Sequence, residues 1–279
     1  MLPDYLKVSA AELGIGTKVQ VSVKTDMPSI AQAVADAMLA EILRAKDEGR
    51  EATLIVPVGP VDQYPILAKR LNQEKISLRD VVLINMDEYL TDDDQWIPAD
   101  HPLSFVGYMD RLFYDLLEPS LAPKKENRIF PHPQNCDEIQ DLINARGGVD
   151  CTFGGIGING HMAFNEPPES AEKISNEAFA KLPTRVLSLT RETRTINSVT
   201  VGGEISVIPW RCVTVGMKEI LESRRLRFYC NRPWQSAVVR RVLHGPITAH
   251  CPASFIRTHP EAYLTVADYV AQPPNIQLR

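Results

Sequence analysis

Two runs, "ATLIV" at 52–56 and "VVLI" at 81–84, are almost continuously apolar. A strand with one wet face alternates polar and apolar residues, whereas a strand covered on both faces does not. Runs of this kind therefore predict two inner strands, "ATLIVPVG" (52–59) and "DVVLINMDEY" (80–89), of a sheet with helices on each side. A parallel strand also needs a long crossover to reach its neighbour. The residues between the runs supply it: "YPILAKRLNQ" is helical in pattern. Upstream, "KVQVSVKT" (18–25) alternates and reads as a strand. It is followed by a helical stretch in which Ile30, Val34, Met38 and Ile42 share one face and Gly49 suits the stop. Further strands are predicted at "VDCTFGGIG" (149–157), "RCVTVGM", "RLRFYCN" and "AYLTVAD", and helices at "HPLSFVGYMDRLFYDLL" and "WQSAVVRRVLHG". Strand and helix alternate throughout, so the expected class is α/β, a three-layer sandwich around a mostly parallel sheet, as one domain over 1–279. Residues 168–183 are polar and weakly periodic, readable either as a segment over the site or as a surface insertion.

Composition removes several classes of function. The net charge of −5 argues against general binding to nucleic acid or anionic membrane. No run of about 18 apolar residues is present, and "MLPDYLKVSAAELGIG" lacks a signal-peptide pattern. The five cysteines are odd in number, scattered and without a CxxC pair, which fits reduced thiols and a cytoplasmic location.

In open α/β sheets, function gathers beyond the carboxyl ends of strands. Three polar stretches fall there: "PVGPVDQYP", "NMDEY" and "GGIGINGHMAFNEP" (154–167). In the second, Asp87 and Glu88 follow "VVLI". A carboxylate shielded there has a raised pKa and suits a general base; as a pair, one of them can equally cap a helix or close a turn. In the third, His161 is a candidate proton carrier, with Glu166 or Asn159 fixing the ring through its other nitrogen. A histidine bonded to backbone is the plainer alternative. Gly154, Gly155, Gly157 and Gly160 let a ligand approach the backbone closely. Gly155, Gly157 and Gly160 also match G-x-G-x-x-G, but an acidic residue at the expected distance is lacking. A metal held by His161, Glu166 and His101 matches no zinc spacing, and no G-x-S-x-G elbow is present.

Together "NMDEY" and "GGIGINGHMAFNEP" resemble the glucosamine-6-phosphate deaminase (isomerase) family, and the likeness continues through "LTRETRTINS", "TVGM" and "VLHGPITAHCPASFIRTHPEAYLTVAD", roughly 18 to 268. The resemblance implies a Rossmann-like sandwich shared with 6-phosphogluconolactonases. It also implies a small-molecule sugar substrate, no metal or organic cofactor, and an assembly anywhere from monomer to homo-oligomer. By motif, Asp87 resembles the base that takes the C2 proton. His161 resembles the ring-opening acid/base, with Glu166 and Asn159 as its partners. Position 159 is often Asp in the family; an Asn orients the imidazole but cannot stabilise an imidazolium by charge. The alternatives are a sugar-binding sensor that has lost turnover and a lactonase-type hydrolase.

The likeness breaks at the phosphate end. The family loop reads like "PTGGTP"; here it is "PVGPVDQYP". Val58 and Pro60 replace a hydroxyl residue and a glycine, and Pro60 has no N–H to offer. Asp62 places a negative charge where a dianion would sit. Two basic family positions align with Val199 and Gln235. A substrate altered at that end is expected, with Val58, Gly59, Pro60, Glu88, Gly157, Gly160 and Arg194 contacting it. Arg194, Arg232 and Arg257 are candidates for holding a different anion, and Tyr64 and Trp234 for packing on an uncharged sugar face.

Overall fold

The computed structural model describes residues 2–59, 62–169 and 171–277. Ten strands are formed among them: β1 (Gln20–Lys24), β2 (Thr53–Val56), β3 (Val82–Asn85), β4 (Asp87–Leu90), β5 (Arg128–Ile129), β6 (Cys151–Gly155), β7 (Arg185–Ser188), β8 (Arg211–Thr214), β9 (Leu226–Cys230) and β10 (Ala262–Ala267). Seven pair in the order β1-β10-β9-β6-β2-β3-β5, all parallel. The α-helices among the described residues are α1 (Met27–Asp47), α2 (Gln63–Glu74), α3 (Phe105–Leu112), α4 (Glu138–Ala145), α5 (Asn176–Ala180), α6 (Arg191–Asn197), α7 (Met217–Leu221), α8 (Gln235–His244) and α9 (Asp268–Ala271). The mostly parallel sheet flanked by helices is the expected α/β sandwich. No helix among the described residues is long and apolar enough to cross a membrane.

The inner strands form where the apolar runs predict them. Every residue of β2 and β3 is buried, because helices close both faces of the sheet. α1 starts at Asp26, whose carboxylate accepts from Ser29 N–H at 2.9 Å, with Pro28 in the first turn. It covers the sheet with Ile30, Val34, Met38 and Ile42, each essentially unexposed.

The stretch "VVLINMDEY" is not one strand. It breaks at Met86, and the chain passes into a second sheet, antiparallel, of order β4-β8-β7. Met86 N–H donates to Val56 O at 2.9 Å in the first sheet, and Met86 O accepts from Val215 N–H at 2.7 Å beside the second. Hydropathy does not show the break, since β3 and β4 are both buried throughout. The expected helix over "HPLSFVGYMDRLFYDLL" is also shorter. It starts after its Ser104 cap, whose Oγ accepts from Gly107 N–H at 3.1 Å, and gives way to a 3₁₀ turn at Tyr114–Leu116.

None of the described residues of the polar stretch at 168–183 lines the cleft described below. Its helix α5 is pinned to the loop after α8: Asn176 Oδ1 accepts from Ala249 N–H at 2.9 Å, and Phe179 stacks on Phe255.

One buried charge ties α1 to the sheet. Glu41, with a fully buried side chain, accepts from Arg225 Nη2 at 2.7 Å and from Arg227 Nε at 3.3 Å. Removing one member of a buried pair leaves the others' charge uncompensated, which destabilises by about 3–5 kcal/mol. Glu41→Ala is therefore expected to lower the unfolding free energy by about that amount in urea titration. A loss under about 1 kcal/mol would show that the cluster is effectively solvated.

Candidate active site

A cleft of about 480 Å³ opens beyond the carboxyl ends of the central strands. Its wall is built from four successive strand ends: Asn231 and Arg232 after β9, Gly155–Gly157 after β6, Pro57–Gly59 after β2, and Met86 with Asp87 after β3. Leu103, Ser104, Phe105 and Tyr108 close it from the start of α3, and Asn197 and Thr200 from the end of α6.

Asp87 is the first residue of β4, at the joint between the sheets, and is 8% exposed. Burial first, and then the charge of Glu88, push its carboxyl well above the ordinary carboxylate range. No hydrogen bond among the described residues counters them. A desolvated carboxylate of this kind is a stronger base than one in water.

Glu88 was expected against the substrate, and it does not line the cleft. Successive residues of a strand face opposite ways, so Glu88 turns from Asp87 towards α3. Its carboxylate accepts from Tyr89 N–H (2.8 Å), Ser104 Oγ–H (2.9 Å), Phe105 N–H (3.1 Å) and Val106 N–H (2.8 Å). These include first-turn donors of α3, which have no partner within the helix. Glu88 therefore fixes the helix that carries Tyr108 and Phe105 to the cleft.

His161 lines the cleft and is oriented from behind. Its Nδ1 lies 2.8 Å from Asn159 Oδ1, and Asn159 Nδ2 donates to Glu166 Oε2 at 2.6 Å. A carboxylate only accepts, so the amide of Asn159 must turn its NH₂ to Glu166 and its oxygen to the ring. In the neutral ring this assigns the proton to Nδ1 and leaves Nε2 as the acceptor. Thr193 Oγ1 lies 3.3 Å from Nδ1, and Thr190 N–H donates to Glu166 Oε1 at 3.2 Å. Glu166 Oε2 is 3.6 Å from Nδ1. Burial raises the Glu166 pKa, but the hydrogen bond and charge of His161, helped by Thr193 and Asn159, outweigh it and hold the group at about 2. Asn159 and Glu166 thus sit behind the imidazole, outside the cleft lining.

Gly157 lines the cleft and makes room for the ring: a Cβ there would lie 2.0 Å from His161 Cε1 and 2.1 Å from Nε2. Gly160 is elsewhere. It has φ +91°, its carbonyl accepts from Ala253 N–H at 2.7 Å, and an added Cβ would fall 2.6 Å from Cys251 Sγ. It shapes the loop rather than reaching the cleft.

At the other end, Val58 and Gly59 line the cleft, and Pro60 lies outside the described residues. Arg194 does not reach the cleft. Its guanidinium donates to Ile208 O and Ile205 O, both at 3.1 Å. Arg257 is likewise turned to Gly245 O at 2.6 Å. Tyr64 is wholly buried, with its hydroxyl donating to Pro57 O, and Trp234 is absent from the cleft wall. His101 turns Nδ1 to Leu103 N–H at 3.1 Å. Residues that sequence reasoning did not single out include Tyr89 and Asn197, which line the cleft and bond to each other (Nδ2 to hydroxyl, 2.9 Å), and Thr193 beside the ring. The signal for Thr193 and Asn197 lay in "LTRETRTINS", where α6 places them one turn apart, and that for Tyr89 in "NMDEY".

The pairing of Glu166 has a pH signature. Its pKa is depressed from 4.5 to about 2 in the folded protein, so its contribution to stability is complete above pH 4.5 and is lost as pH falls towards 2. Urea midpoints measured between pH 5 and 2.5 are expected to fall less steeply for Glu166→Gln than for the unaltered protein. Identical slopes would mean that the ionised carboxylate does not stabilise the fold.

No family model matches the chain. The glucosamine-6-phosphate deaminase of Mycolicibacterium smegmatis is 30% identical over 257 residues, covering 91% of this chain and 92% of that protein. The glucosamine-6-phosphate deaminase of Caenorhabditis elegans is 27% identical over 241 residues, 85% of each. Among solved structures, a monomeric glucosamine-6-phosphate deaminase superposes with a TM-score of 0.77 at 24% identity, over 91% of this chain and 99% of that one. The 6-phosphogluconolactonase of Trypanosoma brucei superposes with a TM-score of 0.65 at 15% identity, over 91% and 98%. The last two likenesses speak to the fold. The first, at that identity over nine-tenths of both chains, establishes kinship: this chain belongs to the glucosamine-6-phosphate deaminase family.

Proposed function

We propose that the protein is an amino-sugar deaminase/isomerase, opening a 2-amino-2-deoxyaldose ring, moving a proton from C2 to C1 and releasing ammonia to leave a ketose. The observation that carries this reading is the placement of two proton-transfer groups on one cleft: Asp87, desolvated, and His161, oriented from behind.

His161 Nε2 accepts the proton of the anomeric hydroxyl and returns it to the ring oxygen as the ring opens. Asn159 and Glu166 keep the ring in place during both transfers. The open chain presents an aldehyde at C1, which acidifies the C2–H. Asp87 takes that proton, and the electron pair forms the C1–C2 double bond of an enolate with its charge on O1. Asp87 returns the proton to C1 while a proton of the C2 amine passes to O1, which gives a hydroxyl at C1 and an imine at C2, and water attacks the imine to release ammonia and leave the ketone. A carbon acid needs a base stronger than an ordinary carboxylate, and burial together with Glu88's charge raises the basicity of Asp87. Glu88 acts here at a distance, through charge and by holding α3.

Asp87→Asn is expected to lower ammonia release from glucosamine 6-phosphate by a factor of at least about 100, with the thermal midpoint retained. Near-normal turnover would remove Asp87 from the proton transfer. The base must be ionised to act, so kcat/KM is expected to fall on acidification through a pKa above the ordinary carboxylate value of 3.8. Glu88→Gln removes a like charge and is expected to move that acid limb to lower pH, whereas an upward move would contradict the assigned cause.

A further inference from the structure

Arg232 differs from the two other candidate arginines. Arg194 and Arg257 give their guanidinium protons to backbone carbonyls, and Arg232 does not. It lines the cleft, is half-buried, and among the described residues its guanidinium meets only Met27 Sδ, at 4.0 Å. A guanidinium carries five donors and a permanent charge, and a thioether is a weak acceptor. An ordered cation left this bare in a ligand cleft is matched to an anion that arrives with the ligand.

Its backbone is braced. Arg232 N–H donates to Gln235 Oε1 at 2.7 Å, and Gln235 Nε2 donates to Ile156 O at 2.8 Å in the loop that leads to His161. On the other side, Tyr269 Oη–H donates to Asn231 O at 2.6 Å. Gln235, at a position where a basic residue was expected by resemblance, is therefore committed to holding Arg232 in place. The second such position, Val199, is 69% exposed and carries no charge. The entrance to α2 does not compensate. It is reached through Asp62 at φ 78°, whose carboxylate repels an anion at that helix end.

Position completes the case. Arg232 follows β9 and Asp87 follows β3, with β6 and β2 between them. Three ladder spacings, roughly 14 Å, separate the two strand ends. His161 comes from the middle of that span. A hexose with C1 and C2 at His161 and Asp87 turns its far end towards Arg232.

We propose that Arg232 is the specificity residue of this cleft, taking one oxyanion, a phosphate or a carboxylate, at the end of the amino sugar remote from C1 and C2. The assignment rests on the deaminase reading of the same cleft. It places anion recognition on Arg232, three residues before the Gln235 that stands where a basic residue was expected by resemblance.

The test compares ammonia release from glucosamine 6-phosphate, 2-amino-2-deoxyglucuronate and glucosamine by the unaltered protein, Arg232→Ala and Arg232→Lys. The unaltered protein is expected to prefer an anionic sugar, and which of the two it prefers tells phosphate from carboxylate. In Arg232→Ala that preference is expected to fall roughly 10–100-fold, mainly through KM, with partial recovery in Arg232→Lys. A preference for glucosamine in the unaltered protein, or one for the anion that survives Arg232→Ala, would overturn the proposal. If no sugar releases ammonia, the deaminase reading fails and binding decides the rest. A thermal shift with glucosamine 6-phosphate or the uronate that disappears in Arg232→Ala would uphold the oxyanion site, and a shift of equal size in both proteins would remove it.

Discussion

The joint at Met86 sets what the remainder of the site can be. Its N–H belongs to the ladder with Val56 and its carbonyl to Val215, so one residue is clamped between a parallel and an antiparallel sheet. Backbone groups buried at such a joint must be paired, and those two bonds pair them. The consequence is that the next residue, Asp87, enters the second sheet without a choice of direction. Its carboxylate lines the cleft, largely buried and without a donor among the described residues, while Glu88 faces α3. The unfavourable burial of Asp87 is thereby enforced by backbone geometry. That is the condition under which a carboxylate can stay basic in a folded protein.

The imidazole is arranged on the opposite principle. Where Asp87 is stripped of partners, His161 is given several. Asn159 bridges its Nδ1 to Glu166, Thr193 lies beside the same nitrogen, and Thr190 N–H holds Glu166, while Nε2 is left to the cleft. The Asn in the bridge orients the ring by hydrogen bonding, and the charge comes from Glu166 one step behind, 3.6 Å from Nδ1. The two groups proposed for proton transfer thus have environments that push their chemistry apart, one towards stronger basicity and one towards fixed orientation. This divergence is expected where one group takes a proton from carbon and the other shuttles protons on oxygen.

Much of this was legible in the residues. The apolar runs at 52–56 and 81–84 announce doubly covered strands, because only burial on both faces removes the alternation. The places of Asp87 and His161 on the cleft were legible from the strands that precede them. Other features were hidden for physical reasons. The change of sheet at Met86 leaves no trace in hydropathy when both strands are buried. β5 has two residues, and β7 lies half-exposed within a polar stretch, so neither carries a usable period. Glu88 is indistinguishable from Asp87 until the register assigns them to opposite faces. Arg194 and Arg232 are alike as letters, and only the carbonyls of Ile205 and Ile208 show that one of them is already occupied.

The central claim is that ammonia leaves only after the C2 proton has been removed. It is tested most directly by following the label from an amino sugar deuterated at C2, in light water, into the product. The expected product is a ketose that carries part of the transferred deuterium at C1. Ammonia released together with an aldose that keeps its deuterium at C2 would mean direct displacement of the amine, and would contradict the account.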